Sequence, residues 1–244
     1  MCWAEVPTRP TVLIPLGSTE QHGPHLPCDT DTAIATATAR AIAAAVAEST
    51  GVEVLVAPAI AYGSSGEHQS FPGTASIGHE ALALMLIELV RSVMHWAGRI
   101  VFINGHGGNV TTLAAVVRQM IAEQHNVAWA PCMFETTGDA HAGFDETSVM
   151  LHLDPDRVQM DRVVKGNTEP LDQLLPELIA NGVSSVSPNG VLGDPTRANA
   201  ESGAGLFERL VENMCAWIVA GKVDPNGRLT ADKPHAGAPR GGSP

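Results

Sequence analysis

The side chains best suited to metal chemistry are concentrated in one short segment. Residues 15 to 31 read PLGSTEQHGPHLPCDTD and contain Glu20, His22, His25, Asp29 and Asp31. Glu20 and His22 are two positions apart, so in an extended segment both point to the same side, with Cα atoms about 6 to 7 Å apart. They could serve two neighbouring metal ions, which Asp31 could bridge. Carboxylates mixed with imidazoles suit Zn²⁺, Fe²⁺ or Mn²⁺ better than Ca²⁺.

A second candidate segment is NGHGGN, residues 104 to 109, with His106 among glycines. Gly107 and Gly108 let the backbone approach a ligand closely. A Gly-rich turn before a helix can also cradle a phosphate, although this one matches neither GxGxxG nor GxxxxGK[ST]. We interpret His106 as a candidate metal ligand. Gly107, Gly108 and Asn109 are candidates for positioning a substrate or an oxyanion.

The third segment is HAGFDETS, residues 141 to 148, with His141 and Glu146. An imidazole both accepts and donates a proton near neutral pH, so His141 is a candidate proton carrier. If ETSVML begins a helix, Glu146 can point into the same crevice. The alternative is a surface helix N-terminus, where acidic residues are favoured in any protein.

A fourth segment, GEHQSFPGT at residues 66 to 74, could contribute to a substrate pocket through His68 and Phe71. An ordinary polar loop explains it equally well. The histidines at helix ends or after an apolar run, and the thiol within the first segment, are expected to be structural: His95, His125, His152 and Cys28.

These segments follow short apolar runs that read as strands, at about 11 to 18, 52 to 62, 99 to 105 and 126 to 132. Helical patterns separate the runs, which predicts an α/β fold: a mostly parallel sheet flanked by helices in three layers. Loops at the carboxyl ends of parallel strands line the ligand crevice. The candidate residues therefore stand where such a fold places its chemistry.

Composition limits the possible partners. The 244 residues suit one domain, predicted over 1–225, with a Pro- and Gly-rich flexible tail over 226–244. A net charge of −12 argues against nucleic acid and anionic membranes as partners. The four cysteines form no CxxC pair, and no apolar run is long enough for a membrane span. We expect a soluble cytoplasmic protein.

Taken in order, GSTEQHGPHLPCDTD, GEHQSFPGT, NGHGGN and HAGFDETS resemble the creatininase (creatinine amidohydrolase) family over nearly the whole chain to about residue 220. The resemblance implies an α/β fold, a two-metal hydrolytic centre and a ring-like homo-oligomer, commonly a hexamer. AIAYGSSGEHQSF, GDAHAG and SPNGVLGDP resemble the mycofactocin branch of that family, whose members act on a precursor peptide.

The resemblance also implies roles for individual residues. Glu20 and His22 would each bind one metal, Asp31 would bridge both, and His106 would complete the first site. The proton-shuttling histidine would be His141. Where creatininase has an aromatic residue and a metal-binding glutamate after the NGH histidine, this chain has Gly107 and Gly108. We hypothesise that Glu146 replaces the missing carboxylate, and that the wider pocket favours a larger substrate such as a peptide end.

The function expected from these residues is metal-dependent hydrolysis of an amide. For the mycofactocin branch, the resemblance implies removal of a crosslinked C-terminal Val-Tyr dipeptide from the modified precursor, with two Fe²⁺ or Zn²⁺ ions, or Mn²⁺, per chain. One alternative is another amidohydrolase of the family, acting on a small cyclic amide or a formamide. A different alternative is a non-catalytic metal- or ligand-binding protein on the same fold.

Overall fold

The computed structural model describes residues 1–134 and 139–231, and its centre is a four-stranded parallel sheet. The strand order is β2-β1-β3-β4, and every pair of neighbours is parallel. The strands are β1 (Thr11–Leu16), β2 (Val54–Val56), β3 (Arg99–Asn104) and β4 (Val127–Pro131).

Helices cover both faces of this sheet. One apolar cluster joins α2 and α3 to one face, and a second joins α1 and α7 to the other. Because both faces are covered, the central strands are continuous apolar runs without polar alternation. The predicted three-layer α/β fold is confirmed. The helices are α1 (Thr30–Thr50), α2 (Gly78–Val93), α3 (Val110–Ala122), α4 (Phe144–Leu153), α5 (Leu171–Asn181), α6 (Val183–Val186) and α7 (Ala200–Ala220).

Short 3₁₀ turns connect several of these elements. Two of them stand in the candidate segments, one before α2 and one before α3. The turns span Trp3–Glu5, Gly66–His68, Gly107–Asn109, Pro155–Arg157, Met160–Arg162 and Pro195–Arg197. Among the described residues, no helix combines the length and the apolar character that crossing a bilayer requires.

Helix ends follow local capping chemistry. Gly51 follows α1 with φ 69° and Gly221 follows α7 with φ 69°, the left-handed conformation that a glycine adopts without a Cβ clash. At the start of α7, the side chain of Asn199 accepts a hydrogen bond from the backbone N–H of Ser202. Both of the longest helices are therefore followed by a glycine, and α7 is preceded by an asparagine, which are residues favoured at those positions.

Two sequence boundaries need correction. The apolar run 52 to 62 forms a strand only over Val54–Val56 and continues as a loop that rejoins the sheet by one bridge, between Leu16 and Ile60. The flexible tail predicted from residue 226 begins too early, since Leu229 is 1% exposed and its N–H donates to Trp129 O. The apolar side chain keeps this segment on the sheet. Residues 232–244 of the predicted tail lie outside the described residues.

The carboxyl ends of β1, β3 and β4 lie side by side. Leu16 is in register with Asn104, and Asn104 with Pro131. The loops that leave these three strands therefore start from one edge of the sheet. Glu20, His22 and His106 lie on two of these loops.

Candidate metal centre

Four of the predicted ligands converge at this edge of the sheet. Glu20 and His22 lie in the loop after β1, Asp31 in the first turn of α1, and His106 directly after β3. Their exposed fractions are 0%, 0%, 2% and 5%. Carboxylates are rarely buried to this extent without a counter-charge.

The carboxylate of Asp31 lies between two imidazoles. Its Oδ1 is 3.1 Å from His22 Nε2, and its Oδ2 is 3.3 Å from His106 Nδ1. On the other side of His106, Nε2 is 3.2 Å from Glu20 Oε2. Each oxygen of Asp31 thus faces a different histidine, which is the position a bridging ligand would need.

These carboxylates lack hydrogen bonds that would compensate for their burial. Within the described residues, both oxygens of Glu20 and Oδ2 of Asp31 are buried without a hydrogen-bond partner. No Lys or Arg is found among the described residues that line the adjoining cavity. Buried anionic oxygens without donors are costly. A divalent cation would satisfy them, so the donor set fits a metal.

Two of the histidines carry raised pKa values in the absence of a metal. Burial opposes the charged form of His22, but the charge and hydrogen bond of Asp31, with Glu146 and Glu20 nearby, outweigh it and raise the pKa to about 10. The pKa of His106 is raised well above its ordinary value, because Glu20 and Asp31 outweigh its burial. In the metal-free protein, protons therefore neutralise part of the negative charge.

Glu146, in the first turn of α4, brings a third carboxylate to the cluster. Its Oε2 is 4.0 Å from His22 Nε2 and accepts a hydrogen bond from the N–H of Ala142 at 2.6 Å. Burial raises its pKa to about 7. Donor atoms within 4.8 Å of one another form three groups: Glu20, Asp31 and His106; His22, His141 and Glu146; Glu20, His68 and His141.

The backbone at Gly108 has no room for a side chain, and therefore none for the metal-binding glutamate that creatininase has after the NGH histidine. A Cβ at this position would lie 2.4 Å from Ser64 O, 2.5 Å from His106 Nε2 and 2.6 Å from Glu67 Oε1. Real Cβ atoms do not come this close to other heavy atoms. A second-site carboxylate must therefore come from another segment, and Glu146 is the one grouped with His22.

Gln21, between the two predicted ligands, fixes the tautomers of two histidines. Its Oε1 accepts the N–H of Gly23 at 2.8 Å, and its Nε2 donates to Gly190 O at 3.0 Å and to His68 Nδ1 at 2.8 Å. These backbone partners set the amide orientation. His68 therefore carries its proton on Nε2, which points at Glu20 Oε1 3.4 Å away.

His141 is held by the backbone on both sides. Its ring Nε2–H donates to Gln21 O at 2.7 Å, which leaves Nδ1 as the acceptor, 3.6 Å from Glu20 Oε1. Its backbone pairs with Leu192, from the SPNGVLGDP segment, through two hydrogen bonds. Burial and the neighbouring charges of His22 and His68 hold the pKa of His141 well below its ordinary value. The imidazole is therefore neutral, with no proton on Nδ1.

The residues predicted to contact substrate divide into two groups. Gly107, Gly108 and His68 line the cavity beside the cluster. Asn109 is fully buried, and its amide donates to Gly17 O and Asn104 Oδ1 while accepting the N–H of Ser64. Both of its amide hydrogens are engaged in joining loops. A substrate contact by Asn109 stays a prediction that this geometry does not support.

Sequence reasoning missed one carboxylate of the site. Glu67 lines the cavity, with Oε1 3.5 Å from His106 Nε2. Burial opposes its charged form, but the hydrogen bond and charge of His106 outweigh burial and lower the pKa of Glu67. The sequence feature that could have indicated Glu67 as a site residue is its position next to His68 in GEHQSF. Nothing in the spacing separates it from an ordinary loop glutamate.

The cluster forms the floor of an open cavity of about 1090 Å³. Part of its lining consists of carboxylates and imidazoles, including Asp31, His106 and Glu146. Another part comes from α5 and is apolar, through Leu171, Leu175 and Ile179. The cavity is of the size that holds drug-sized molecules, well above the needs of a single small ring.

Comparisons with known proteins identify the family of this chain. Residues 1–218 match the family model described as creatininase, creatinine amidohydrolase. A mycofactocin precursor peptide peptidase from Mycobacterium ulcerans is 54% identical over 226 residues, covering 91% of this chain and 90% of the relative. The protein of the same name from Mycolicibacterium smegmatis is 50% identical over 221 residues, covering 91% and 89%.

Solved creatininase structures share the fold. A mutant creatininase described as the Zn-Zn type is 26% identical, with a TM-score of 0.69, over 85% of this chain and 88% of that chain. A creatininase described with Mn is also 26% identical, with a TM-score of 0.68, over 85% and 89%. Both names include a metal of the kind that this donor set suits.

Proposed function

The chain belongs to the creatininase family and is a hydrolase of C–N bonds, and from that premise we propose that its substrate is the mycofactocin precursor peptide. The relatives named for that activity cover about nine tenths of the chain at half identity or more. The modified precursor would lose its crosslinked C-terminal Val-Tyr dipeptide by hydrolysis of one amide bond.

The observation that carries the proposal is the Asp31 carboxylate between His22 and His106, with Glu20 unsatisfied beside it. We assign Glu20 and His106 to one divalent ion, His22 and Glu146 to another, and Asp31 to both. His22 fits this role because its Nδ1–H donates to Glu20 O at 3.1 Å, which directs Nε2 at the cluster. Zn²⁺ or Fe²⁺ suits the ligands, and Mn²⁺ does so too.

When bound, such ions acidify water and polarise a scissile carbonyl. The protein's own part in proton transfer falls to His141. Its neutral imidazole offers Nδ1 as the acceptor, while Nε2 is fixed on Gln21 O. His141 would take the proton of the attacking water and deliver it to the leaving nitrogen. His68, whose Nε2 lies 3.4 Å from Glu20 Oε1, would help to orient that carboxylate.

The cellular location and the oligomeric state of the enzyme are part of the proposal. All four cysteines are free, and free thiols suit the reducing cytoplasm in which we expect the protein to work. We also propose the ring-like homo-oligomer that its family suggests. A hexamer of 25.5 kDa chains would have a mass of about 150 kDa.

Replacing His141 with Ala tests the function most simply. We expect His141→Ala to lower turnover of the modified precursor at least about 10²-fold, which is the usual contribution of a positioned acid–base group. Metal content should stay that of the wild type, since His141 is assigned to proton transfer. Product would be followed by mass spectrometry, and metal by elemental analysis of the same samples.

A matched control is His125→Ala, which removes a partly exposed surface histidine and should change neither quantity. Unchanged turnover in His141→Ala would contradict the proton role. Wild-type protein that leaves the precursor intact but opens creatinine or a formamide would contradict the proposed substrate, while leaving the hydrolase in place.

A further inference from the structure

The apolar side of the cavity belongs to one helix. Leu171, Leu175 and Ile179 recur every four residues on α5, so they form a stripe along one face. Their exposed fractions are 41%, 42% and 82%. All three line the cavity that also contains His106 and His141. We call these three residues the apolar wall.

The apolar wall is not needed for the hydrophobic core. Leu174 and Leu178 of α5 serve that purpose: they are 5% and 9% exposed and pack with Val183 and Leu192, and Leu178 also lines the cavity. Because α5 already has a buried face, a second apolar stripe facing open space adds nothing to the stability of the fold. Three adjacent apolar side chains left in water are costly to a folded protein and indicate a ligand.

We propose that the apolar wall binds an apolar side chain of the substrate next to the scissile amide. This inference rests on the proposed function and adds the chemistry of the flanking group. The scissile amide would lie beside His141 and Glu146, and α5 lines the same cavity, so a group that flanks the amide can reach the apolar wall. A polar substrate of small size would leave the wall in water. Continuity of the wall with the catalytic cavity makes the substrate its occupant.

The wall can be tested by binding, without turnover. Metal-loaded protein would be titrated calorimetrically with the dipeptides Val-Tyr and Ser-Ser. Wild type should bind Val-Tyr at least about tenfold more tightly than Ser-Ser, since burying one large apolar side chain raises affinity by that factor or more. Leu175→Asn and, separately, Leu171→Asn should each lose most of that preference and bind Ser-Ser as before.

Leu84→Asn is the matched control, because Leu84 is 66% exposed on α2, outside the cavity. It should bind both dipeptides as wild type does. Equal wild-type affinity for the two dipeptides would overturn the inference, as would undiminished Val-Tyr binding by both wall variants. If those variants instead lose mass in light scattering with binding unchanged, the wall is a contact between copies of the chain.

The two proposals fail in different ways. Val-Tyr preference that depends on Leu175, in a protein that does not cleave the precursor, would support the wall and reject the proposed substrate. Cleavage of the precursor with unchanged KM in both wall variants would support the proposed substrate and reject the apolar wall as its binding surface.

Discussion

At the scale of single residues, the site is a balance between buried negative charge and whatever cation neutralises it. Asp31 and Glu20 are buried, with Glu146 beside them, and no Lys or Arg is found among the described residues that line the cavity. Without metal, the histidines take up protons: the pKa of His22 rises to about 10, and that of His106 also rises. Protons and metal ions therefore compete for the same nitrogen atoms.

This competition predicts proton release on metal binding. At pH 7, His22 is protonated in the metal-free protein because its pKa of about 10 lies above that pH, and the raised pKa of His106 favours its protonated form as well. A metal must displace these protons, so affinity should rise with pH below about 10, by up to about tenfold per unit for each proton displaced. Zn²⁺ titrated into metal-free protein at pH 7, in buffers of different ionisation enthalpy, measures the protons released.

We expect about two protons per loaded chain, one from each of these histidines. Glu146, with its pKa raised to about 7, should add a further fraction of a proton below neutrality. His22→Gln should release about one proton fewer, and His125→Ala should behave as wild type. Metal binding that releases no protons, with affinity independent of pH between 6 and 8, would contradict the assignment of these histidines as ligands.

Sequence reasoning predicted the ionisable residues of the cluster better than the residues that orient them. Glu20, His22, Asp31 and His106 were visible through residue type, spacing and family resemblance. Gln21 was not, because its role depends on Gly23 and Gly190, and the latter arrives from a distant segment. A hydrogen bond between loops 169 residues apart leaves no local pattern.

At the scale of elements, the position of Glu146 depends on how α4 packs against α7. Gly203 of α7 lies directly against α4, where an added Cβ would be 1.8 Å from Ser148 O. The two helices approach this closely only because position 203 has no side chain. Anything that separates them moves the first turn of α4, and with it Glu146.

We therefore predict that Gly203→Ala destabilises the protein by roughly 1 to 3 kcal/mol, the usual cost of inserting a methyl group into a packed contact. Urea denaturation measures this change, and turnover should fall because Glu146 shifts. Gly205→Ala, two positions along the same helix, is the control. Its Cβ would meet only Arg209 Nη1, at 3.3 Å.

Alanine favours helix over glycine, so Gly205→Ala should be neutral or more stable by up to about 1 kcal/mol. Unfolding of both variants at the same urea concentration would contradict the tight contact between α4 and α7. It would also contradict the proposed effect of α7 on the position of Glu146.

The order of strands and helices was readable from sequence because buried parallel strands are continuous apolar runs. Boundaries were less certain. Apolar residues continue past Val56, but the pairing with β1 ends there apart from one bridge at Ile60, so the strand is shorter than its composition indicates. The polar stretch after residue 225 stays on the domain through Leu229. In both places, tertiary contacts override the local pattern.

At the scale of the whole molecule, one edge of the sheet gathers every group that the proposed chemistry needs. The loops after β1 and β3 supply ligands, α4 supplies Glu146, and α5 lines part of the cavity with apolar side chains. The chain carries a net charge of −12, so two divalent ions would reduce its magnitude to 8. The fold brings acidic residues together that a bound cation would stabilise.

The most direct test of this account is an anomalous diffraction map from crystals of the metal-loaded protein. We predict two peaks per chain, each within about 2.0 to 2.3 Å of its ligands. One should contact Glu20 and His106, the other His22 and Glu146, with Asp31 touching both. A map with no peak between these side chains would contradict the two-metal centre. A single peak, or Glu146 more than about 4 Å from every peak, would contradict the second site as assigned.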